Sequence, residues 1–141
     1  MNKHKIYLRM AMEASRLSKD PKAKIGAVAL SKGRIVSVGV NGYPAGYDDS
    51  DTSHKHDKVI HAEVNALLNH GGRPSDIDTM YIYGLPPCSE CLKLMATVGV
   101  KYVAFYVDKS IRSHSEWLAQ FKNVNQLHTI EFDHIKSLEE D

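Results

Sequence analysis

The alternation of helix-like and strand-like patterns along the chain limits its possible folds more than any other sequence feature. Apolar residues at helical spacing predict a first helix over residues 5–18, and strand-like runs at 24–30 and 34–40 flank a turn and predict a hairpin. Helix-like and strand-like patterns then alternate, with helices predicted over 60–68, 86–98, 113–121 and 135–138 and strands over 79–83, 101–107 and 127–132. This order predicts one mixed α/β sheet with helices on its faces and right-handed crossovers between its parallel strands.

The size, charge and hydropathy of the chain narrow the class of protein. Its 141 residues suit a single domain spanning residues 1–141. The formal net charge is only +1, which favours a small-molecule substrate over long nucleic acid, because polynucleotide-binding surfaces are strongly basic. The longest near-apolar stretch, residues 25–30, is too short to cross a bilayer, and charge interrupts the N-terminal region too early for a secretory signal. We therefore expect a cytoplasmic protein without a membrane partner.

Four residues with metal-binding or acid–base chemistry stand at two successive predicted helix starts. His61 and Glu63 lie at one start, and Cys88 and Cys91, directly after Pro87, lie at the next. The residues between His61 and Cys88 are enough for one helix, a turn and one strand. Two neighbouring helices can therefore present their N-termini, and these four side chains, to the same point.

The two cysteines and the histidine have the chemistry of a zinc site. Cys88 and Cys91 are three residues apart and share one helix face, where the positive end of the helix dipole favours thiolates. Zinc binds thiolate and imidazole ligands in a tetrahedron, and three protein ligands leave the fourth position open, which is typical of a catalytic site. Glu63 would then stay free to transfer protons beside the metal.

Other interpretations of these residues remain open. A Cys-x-x-Cys pair could be a redox dithiol, but that interpretation leaves His61 and Glu63 without a role. A structural zinc site would need a fourth protein ligand, such as His70 or another histidine. His54 and His56, in an acidic loop, could bind a second metal ion, although such a loop is more often simply solvated.

Several motifs resemble those of the deoxycytidylate deaminases, within the cytidine and deoxycytidylate deaminases that depend on zinc. They are SKDP (residues 18–21), KIGAV (24–28), NGYPAG (41–46), HAEVNAL (61–67) and PPCSEC (86–91). The resemblance covers residues 10–107, and its last two motifs match the general signature of zinc-dependent nucleobase deaminases, H-x-E followed by P-C-x-x-C. The loop after residue 46 lacks a cysteine that the family often carries there, and the stretch after residue 107 matches poorly.

This resemblance implies a fold, a cofactor and the role of each site residue. The fold would be α/β and cytidine-deaminase-like, a five-stranded mixed sheet of order 2-1-3-4-5 with helices on both faces. His61, Cys88 and Cys91 would bind one catalytic Zn²⁺ per chain, and Glu63 would be the proton shuttle. The protein would form a homo-oligomer, most simply a hexamer.

The resemblance also implies the substrate, dCMP, which would be deaminated hydrolytically to dUMP and ammonia. The backbone N–H of Ala62 would hold the base carbonyl and Asn41 would contact the sugar. A 5′-phosphate needs fixed positive charge, and Lys22 and Lys24 are our candidates for it because they flank the entry to the first predicted strand. Cytidine, cytosine, guanine and transfer RNA adenosine remain alternative substrates, and a non-catalytic zinc-binding interaction module is the alternative outside enzymes.

One aromatic pair lies beyond these motifs. Trp117 and Phe121 are four residues apart on a predicted helix. Their spacing favours a contact with the core or with another subunit over a platform on which a base would stack.

Overall fold

The computed structural model describes residues 2–44, 46–48, 59–124 and 129–139. Within these residues the regular elements are, in chain order, α1 (Lys3–Ser15), β1 (Gly26–Ser31), β2 (Arg34–Val40), α2 (Ala62–Asn69), a short 3-10 helix (Pro74–Asp76), β3 (Thr79–Gly84), α3 (Ser89–Val98), β4 (Tyr102–Val107), α4 (His114–Val124) and β5 (Glu131–His134). The candidate second metal site at His54 and His56 lies outside the described residues.

The five strands form one mixed sheet in the order β2-β1-β3-β4-β5. The hairpin strand β1 pairs antiparallel with both β2 and β3, whereas β3, β4 and β5 run parallel to one another. This topology confirms the predicted α/β fold and the predicted order 2-1-3-4-5. The parallel strands place their carboxyl ends at one edge of the sheet, where binding sites of α/β proteins commonly form.

Strict alternation of side chains along the central strands builds two separate cores. In β3, Met80 and Ile82 point into the larger core, which α2, α3 and α4 cover, while Tyr81 points into a smaller core under α1. Leu8 and Ala11 of α1 are fully buried in this second core. Helices therefore lie on both faces of the sheet, as predicted.

The sequence around α3 explains how this helix begins and ends. Pro86 and Pro87 precede it in a segment that cannot join a helix, and Cys88 is its N-cap residue, with its sulfur accepting a hydrogen bond from the Cys91 N–H at 3.4 Å. At its other end Gly99 adopts a left-handed conformation with a φ of 100°, which glycine adopts at little cost. The proline pair thus delivers both cysteines to the first turn of the helix.

Several predicted elements differ from the structure. Within the described residues the last strand, predicted over 127–132, is Glu131–His134, and the helix predicted from residue 86 begins at Ser89. The first helix ends at Ser15, and Leu17, whose spacing had extended the pattern, is 75% exposed. Leu68, assigned to the apolar stripe of the second predicted helix, is 66% exposed. The predicted C-terminal helix does not form, because the segment around Ile135 and Leu138 runs irregularly over the second core, where Arg9 donates a hydrogen bond to the Leu138 carbonyl at 2.7 Å.

No helix within the described part of the chain combines the length and the apolar character that a membrane crossing requires.

Candidate active site

The starts of α2 and α3 meet at the carboxyl edge of the sheet and form a cluster of metal-binding groups. His61 is the N-cap residue of α2, in an extended conformation that keeps its ring at the helix entry beside Glu63 of the first turn. Cys88 and Cys91 lie at the start of α3. One ligand atom each from His61, Cys88 and Cys91 lies within 4.8 Å of the other two, so the structure brings the three predicted metal ligands together.

The spacing of these donors fits a zinc ion. A tetrahedral zinc with bonds of about 2.3 Å to sulfur and about 2.0 Å to nitrogen places the nitrogen about 3.5 Å from each sulfur. The Nδ1 atom of His61 lies 3.3 Å from the Cys91 sulfur and 3.4 Å from the Cys88 sulfur. The imidazole would therefore bind the ion through Nδ1, and the two sulfurs would complete a three-ligand set.

His70, considered above as a fourth ligand of a structural site, points elsewhere. Its Nε2 atom faces the Asp76 carboxylate at 3.9 Å, and the clustered donors among the described residues are His61, Cys88 and Cys91. The structure therefore does not support a four-ligand structural site that uses His70.

Hydrogen bonds inside the cluster already favour a thiolate. A hydrogen bond from the Cys91 thiol lowers the pKa of Cys88 to about 4, and the same bond, together with burial, raises the pKa of Cys91. The hydrogen bond to Cys88 also raises the pKa of His61. A zinc ion that binds at this site would displace the protons that form the hydrogen bonds among the three donors.

Glu63 is a buried carboxylate directly beside this cluster. Only 4% of its surface is exposed, and burial raises its pKa above the ordinary value, although the nearby His61 opposes this effect. Burial and a raised pKa are the properties of a carboxylate that exchanges protons near neutral pH. The structure therefore places a buried carboxylate next to the three donors.

A cavity of about 720 Å³ opens beside the cluster, a size within the usual range for small-molecule sites. Its described walls come from the segment before β1, the start of α2, the residues before α3 and the β4–α4 connection. The lining residues are Asp20, Lys22, Ala23, Ile25, Asn41, Val59, His61, Ala62, Glu63, Leu85, Pro86, Ser110, Ile111, Arg112, Ser113, Glu116 and Trp117.

Three of the four predicted substrate-binding residues line the cavity, and the fourth, Lys24, does not. Ala62, Lys22 and Asn41 line the cavity, but the Asn41 side chain also accepts a hydrogen bond from Ile25 N–H at 2.9 Å and donates one to the Ala23 carbonyl at 2.8 Å. Asn41 therefore shapes the wall as well as facing it. Lys24 points its ammonium group to the Ser18 carbonyl oxygen at 2.8 Å, and it is not among the residues that line the cavity.

Among the lining residues that the sequence did not assign to the site, Arg112 and Trp117 both follow β4. Arg112 is exposed at the cavity, and Trp117 places its ring centroid 5.8 Å from that of His61. Phe121, by contrast, is buried in the core as its spacing predicted. Because β4 is parallel to β3, the residues after both strands meet at the same sheet edge, and this rule could have pointed to Arg112 and Trp117.

Comparison with known proteins places the chain in a family. The model of the cytidine and deoxycytidylate deaminase zinc-binding region matches residues 1–107, which contain His61, Cys88 and Cys91. The zinc-binding family and the clustered donors together fit one Zn²⁺ per chain.

Proteins that are similar in sequence are named as deoxycytidylate deaminases. A probable deoxycytidylate deaminase of Caenorhabditis elegans is 38% identical over 114 residues, which are 74% of this chain and 57% of the relative. The deoxycytidylate deaminase of Homo sapiens is 35% identical over 116 residues, which are 73% of this chain and 64% of the relative. The aligned region thus spans less than two thirds of these relatives.

A solved structure matches nearly the whole chain. The dCMP deaminase of cyanophage S-TIM5 in its apo form has a TM-score of 0.71 and 25% identity, covering 96% of this chain and 100% of its own. The same enzyme in complex with dCMP and dUMP has a TM-score of 0.65 and 27% identity, covering 92% of this chain and 94% of its own. The match of sequence, fold and donor set shows that this chain belongs to the zinc-binding family of cytidine and deoxycytidylate deaminases.

Proposed function

We propose that this protein is a zinc-dependent hydrolase that converts dCMP and water to dUMP and ammonia. The observation that carries the proposal is the three-donor cluster with the buried Glu63 carboxylate beside it, at the wall of a cavity of nucleotide size. The relatives named as deoxycytidylate deaminases, and the S-TIM5 enzyme solved with dCMP and dUMP, support this substrate over cytidine, cytosine or guanine.

The roles of the residues follow from their positions. His61, Cys88 and Cys91 would hold the zinc ion, which when bound lowers the pKa of a water molecule to near neutrality. The Glu63 carboxylate would accept a proton from the attacking water and deliver it to the N3 atom of the base as the water oxygen bonds to C4. It would then pass the proton of the new C4 hydroxyl to the 4-amino group, the bond from C4 to the amino nitrogen would break, and ammonia would leave a carbonyl behind.

The first turn of α2 would orient the base. Ala62 is the first residue of this helix and lines the cavity, and N–H groups of a first helical turn have no acceptor within the helix. We propose that the Ala62 N–H donates a hydrogen bond to the 2-carbonyl oxygen of the base. This contact would hold C4 next to the donor cluster and N3 within reach of Glu63.

The 5′-phosphate requires positive charge at the cavity. Lys22 and Arg112 supply permanent positive charges from the described lining residues, whereas the Lys24 ammonium is engaged by the Ser18 carbonyl. We therefore favour Lys22 over Lys24 as a phosphate ligand, with Arg112 from the opposite connection as its partner. Asn41 would contact the sugar from the same wall.

The test is a comparison of substrates on the zinc-loaded protein. Ammonia release should be fastest with dCMP and much slower with deoxycytidine, cytidine, cytosine, guanine or adenosine. Lys22→Ala should lower kcat/KM for dCMP by about tenfold or more while changing the value for deoxycytidine little, because only the nucleotide carries the phosphate. Lys24→Ala is the matched control. Equal turnover of deoxycytidine and dCMP by the wild type would disprove the substrate assignment.

A non-catalytic zinc-binding module is the second candidate, but the buried Glu63 argues against it. Zinc binding does not need this carboxylate. Its burial destabilises the folded protein, and a module that only binds zinc would gain no function from that loss.

We also propose that residues 1–141 act as one deaminase domain in the cytoplasm. The two free cysteines support a reducing compartment, because metal-binding thiolates must stay unoxidised. Imaging a fluorescent fusion in intact cells would test the location, and a signal confined to the envelope would contradict it.

A homo-oligomer, most simply a hexamer, completes the proposal. Leu68 on α2 and Leu94 on α3 are 66% and 44% exposed, and such apolar side chains on sheet-covering helices suit contacts between subunits. Analytical ultracentrifugation at micromolar concentration should show a hexamer. A stable monomer would refute the assembly.

A further inference from the structure

One wall of the cavity lies beyond the region that the family model describes. The matched region ends at residue 107, whereas residues 110–113 on the β4–α4 connection and Glu116 and Trp117 on α4 line the cavity. The three metal donors and Glu63 all lie inside the matched region. The chemistry therefore depends on residues shared with the family, and this wall is where the chain can set its own preference for a substrate.

Trp117 is the residue of this wall that lies next to the metal-binding cluster. Its ring centroid is 5.8 Å from that of His61, and the two ring planes are tilted by 57°. The indole is half-buried: part of it packs against the larger core and part of it lines the cavity.

The rest of α4 holds the indole in this position. One helical turn further on, Phe121 is 6% exposed and packs edge-to-face on Phe105 of β4, with ring centroids 4.9 Å apart. Phe121 also packs edge-to-face on Phe132 of β5 at 5.0 Å. These contacts anchor the helix to the sheet, so the orientation of Trp117 is set before any ligand binds.

The base must enter the space beside this indole. His61 turns its Nδ1 atom toward both sulfurs, so a reacting ring atom has to approach from the cavity side of the cluster, where Trp117 also lies. Glu63 and Ala62 offer hydrogen bonds to the edge of a planar ring and leave its faces uncovered. The His61 and Trp117 ring centroids, 5.8 Å apart, already lie within the range of about 4.5–7 Å at which aromatic rings pair, so a base has to stack on the part of the indole that lines the cavity.

We infer that Trp117 is a substrate-binding residue on which the pyrimidine base of the substrate stacks. The inference rests on the proposed function, since it takes the base to be that of a cytosine nucleotide. Under this inference, Trp117 on α4 recognises the flat face of the base, and the start of α2 recognises its edge.

The chain offers a direct reporter, because Trp117 is its one tryptophan. Titrating the zinc-loaded wild type with the product dUMP should quench the tryptophan fluorescence in a saturable manner. Titration with 2-deoxyribose 5-phosphate, which has the sugar and the phosphate but no base, should leave the fluorescence nearly unchanged. Fluorescence that ignores dUMP, or that responds equally to both compounds, would overturn the inference.

Variants of Trp117 give a second and independent measurement. Trp117→Leu should raise KM for dCMP by about tenfold or more with a smaller change in kcat, because an aliphatic side chain cannot replace base–aromatic stacking. Trp117→Phe should keep KM within about threefold of the wild type. Leu118→Ala, which shortens a partly buried core side chain of the same helix that does not line the cavity, should lower Tm but leave KM nearly unchanged. A KM for Trp117→Leu within about twofold of the wild type would also overturn the inference.

These results separate the inference from the proposed function. If the wild type releases no ammonia from dCMP, the proposed function fails, whatever Trp117 does. If the wild type deaminates dCMP but neither the fluorescence nor the KM of Trp117→Leu changes, only the stacking inference fails. Zinc content measured for each variant distinguishes loss of stacking from loss of the metal site.

Discussion

Burial of the Glu63 carboxylate destabilises its charged form and at the same time makes it a stronger base. Burial removes its hydration and raises its pKa, while the imidazole of His61 and a hydrogen bond from Cys91 favour its charged form. Burial thus makes this carboxylate a stronger base than a solvated glutamate, while the charge of His61 limits the effect. A solvated glutamate on the same helix would be too weak a base for this task.

Replacing Glu63 by glutamine should therefore remove the chemistry and little else. The amide has nearly the same size, but it cannot accept a proton, so kcat for dCMP should fall by at least about 100-fold. Zinc content and the circular dichroism spectrum should stay those of the wild type. Glu90→Gln, an exposed acid in the first turn of α3, is the control and should retain full activity. A Glu63→Gln enzyme within about tenfold of wild-type kcat would show that Glu63 is not the shuttle.

The three donors should hold one zinc ion per chain. Cys88→Ala removes one ligand and the thiolate with the lowered pKa, so the purified variant should contain little zinc and have no measurable activity. His70→Ala is the matched control, because His70 faces Asp76 instead of the cluster, and it should keep its zinc. Metal content is measured by inductively coupled plasma mass spectrometry. Active wild-type protein without zinc would contradict the assignment.

At the level of elements, the placement of α2 depends on a close approach to β2. A Cβ atom at Gly39 would lie 2.3 Å from both the Ala62 carbonyl oxygen and the Ala66 nitrogen of α2. These are backbone atoms, which cannot move aside without moving the helix. Since α2 carries His61 at its entry and Glu63 in its first turn, the position of the site depends on the absence of a side chain at Gly39.

Gly39→Ala should thus damage stability and activity together. Pushing α2 away from the sheet should lower the free energy of unfolding by about 2 kcal/mol. It should also lower kcat/KM for dCMP, and by more than the loss of folded protein explains. Gly71→Ala is the matched control, because no atom lies within 4 Å of the added methyl group. Thermal unfolding and steady-state kinetics measure the two effects. A fully stable and active Gly39→Ala protein would show that the β2–α2 spacing can relax.

Sequence patterns predicted an element where residues within it or next to it determine its conformation. The alternation of β3 and the proline-to-glycine limits of α3 are local, and so are the donor residues at the helix starts. The C-terminal segment was mispredicted because the spacing of Ile135 and Leu138 imitates a helix, while contacts with α1 hold the segment in another conformation. Trp117 was assigned to the core because helical spacing identifies an apolar face but cannot show that part of that face borders a cavity.

Across the whole molecule, the sheet separates the candidate active site from a second set of stabilising contacts. The metal-binding cluster and the cavity lie on the face covered by α2, α3 and α4, whereas α1 and the C-terminal segment pack on the opposite face. On that opposite face His4 shares a hydrogen bond of 2.8 Å with the Tyr81 hydroxyl, and Tyr102 donates one of 2.6 Å to Asp133. This face contributes no described lining residue of the cavity, so changes there should affect stability first.

Removing the C-terminal segment tests this separation. Ile135 and Leu138 pack against the second core, the Ile135 N–H donates to the Phe105 carbonyl at 2.9 Å, and Arg9 donates to the Leu138 carbonyl. Two partly buried apolar side chains and these hydrogen bonds should together contribute about 2–4 kcal/mol. A chain that ends after His134 should consequently unfold about 5–12 °C lower than the wild type.

The same truncated chain should keep its zinc and, below its unfolding temperature, a kcat/KM for dCMP within about threefold of the wild-type value. A chain that ends after Glu139 is the control, because it retains every contact named above, and it should match the wild type in both measurements. Differential scanning calorimetry and ammonia release at 15 °C provide the two readouts. If the shorter chain lost its activity while its Tm stayed unchanged, the segment would have to act on the site through the sheet, and the two faces would not be independent.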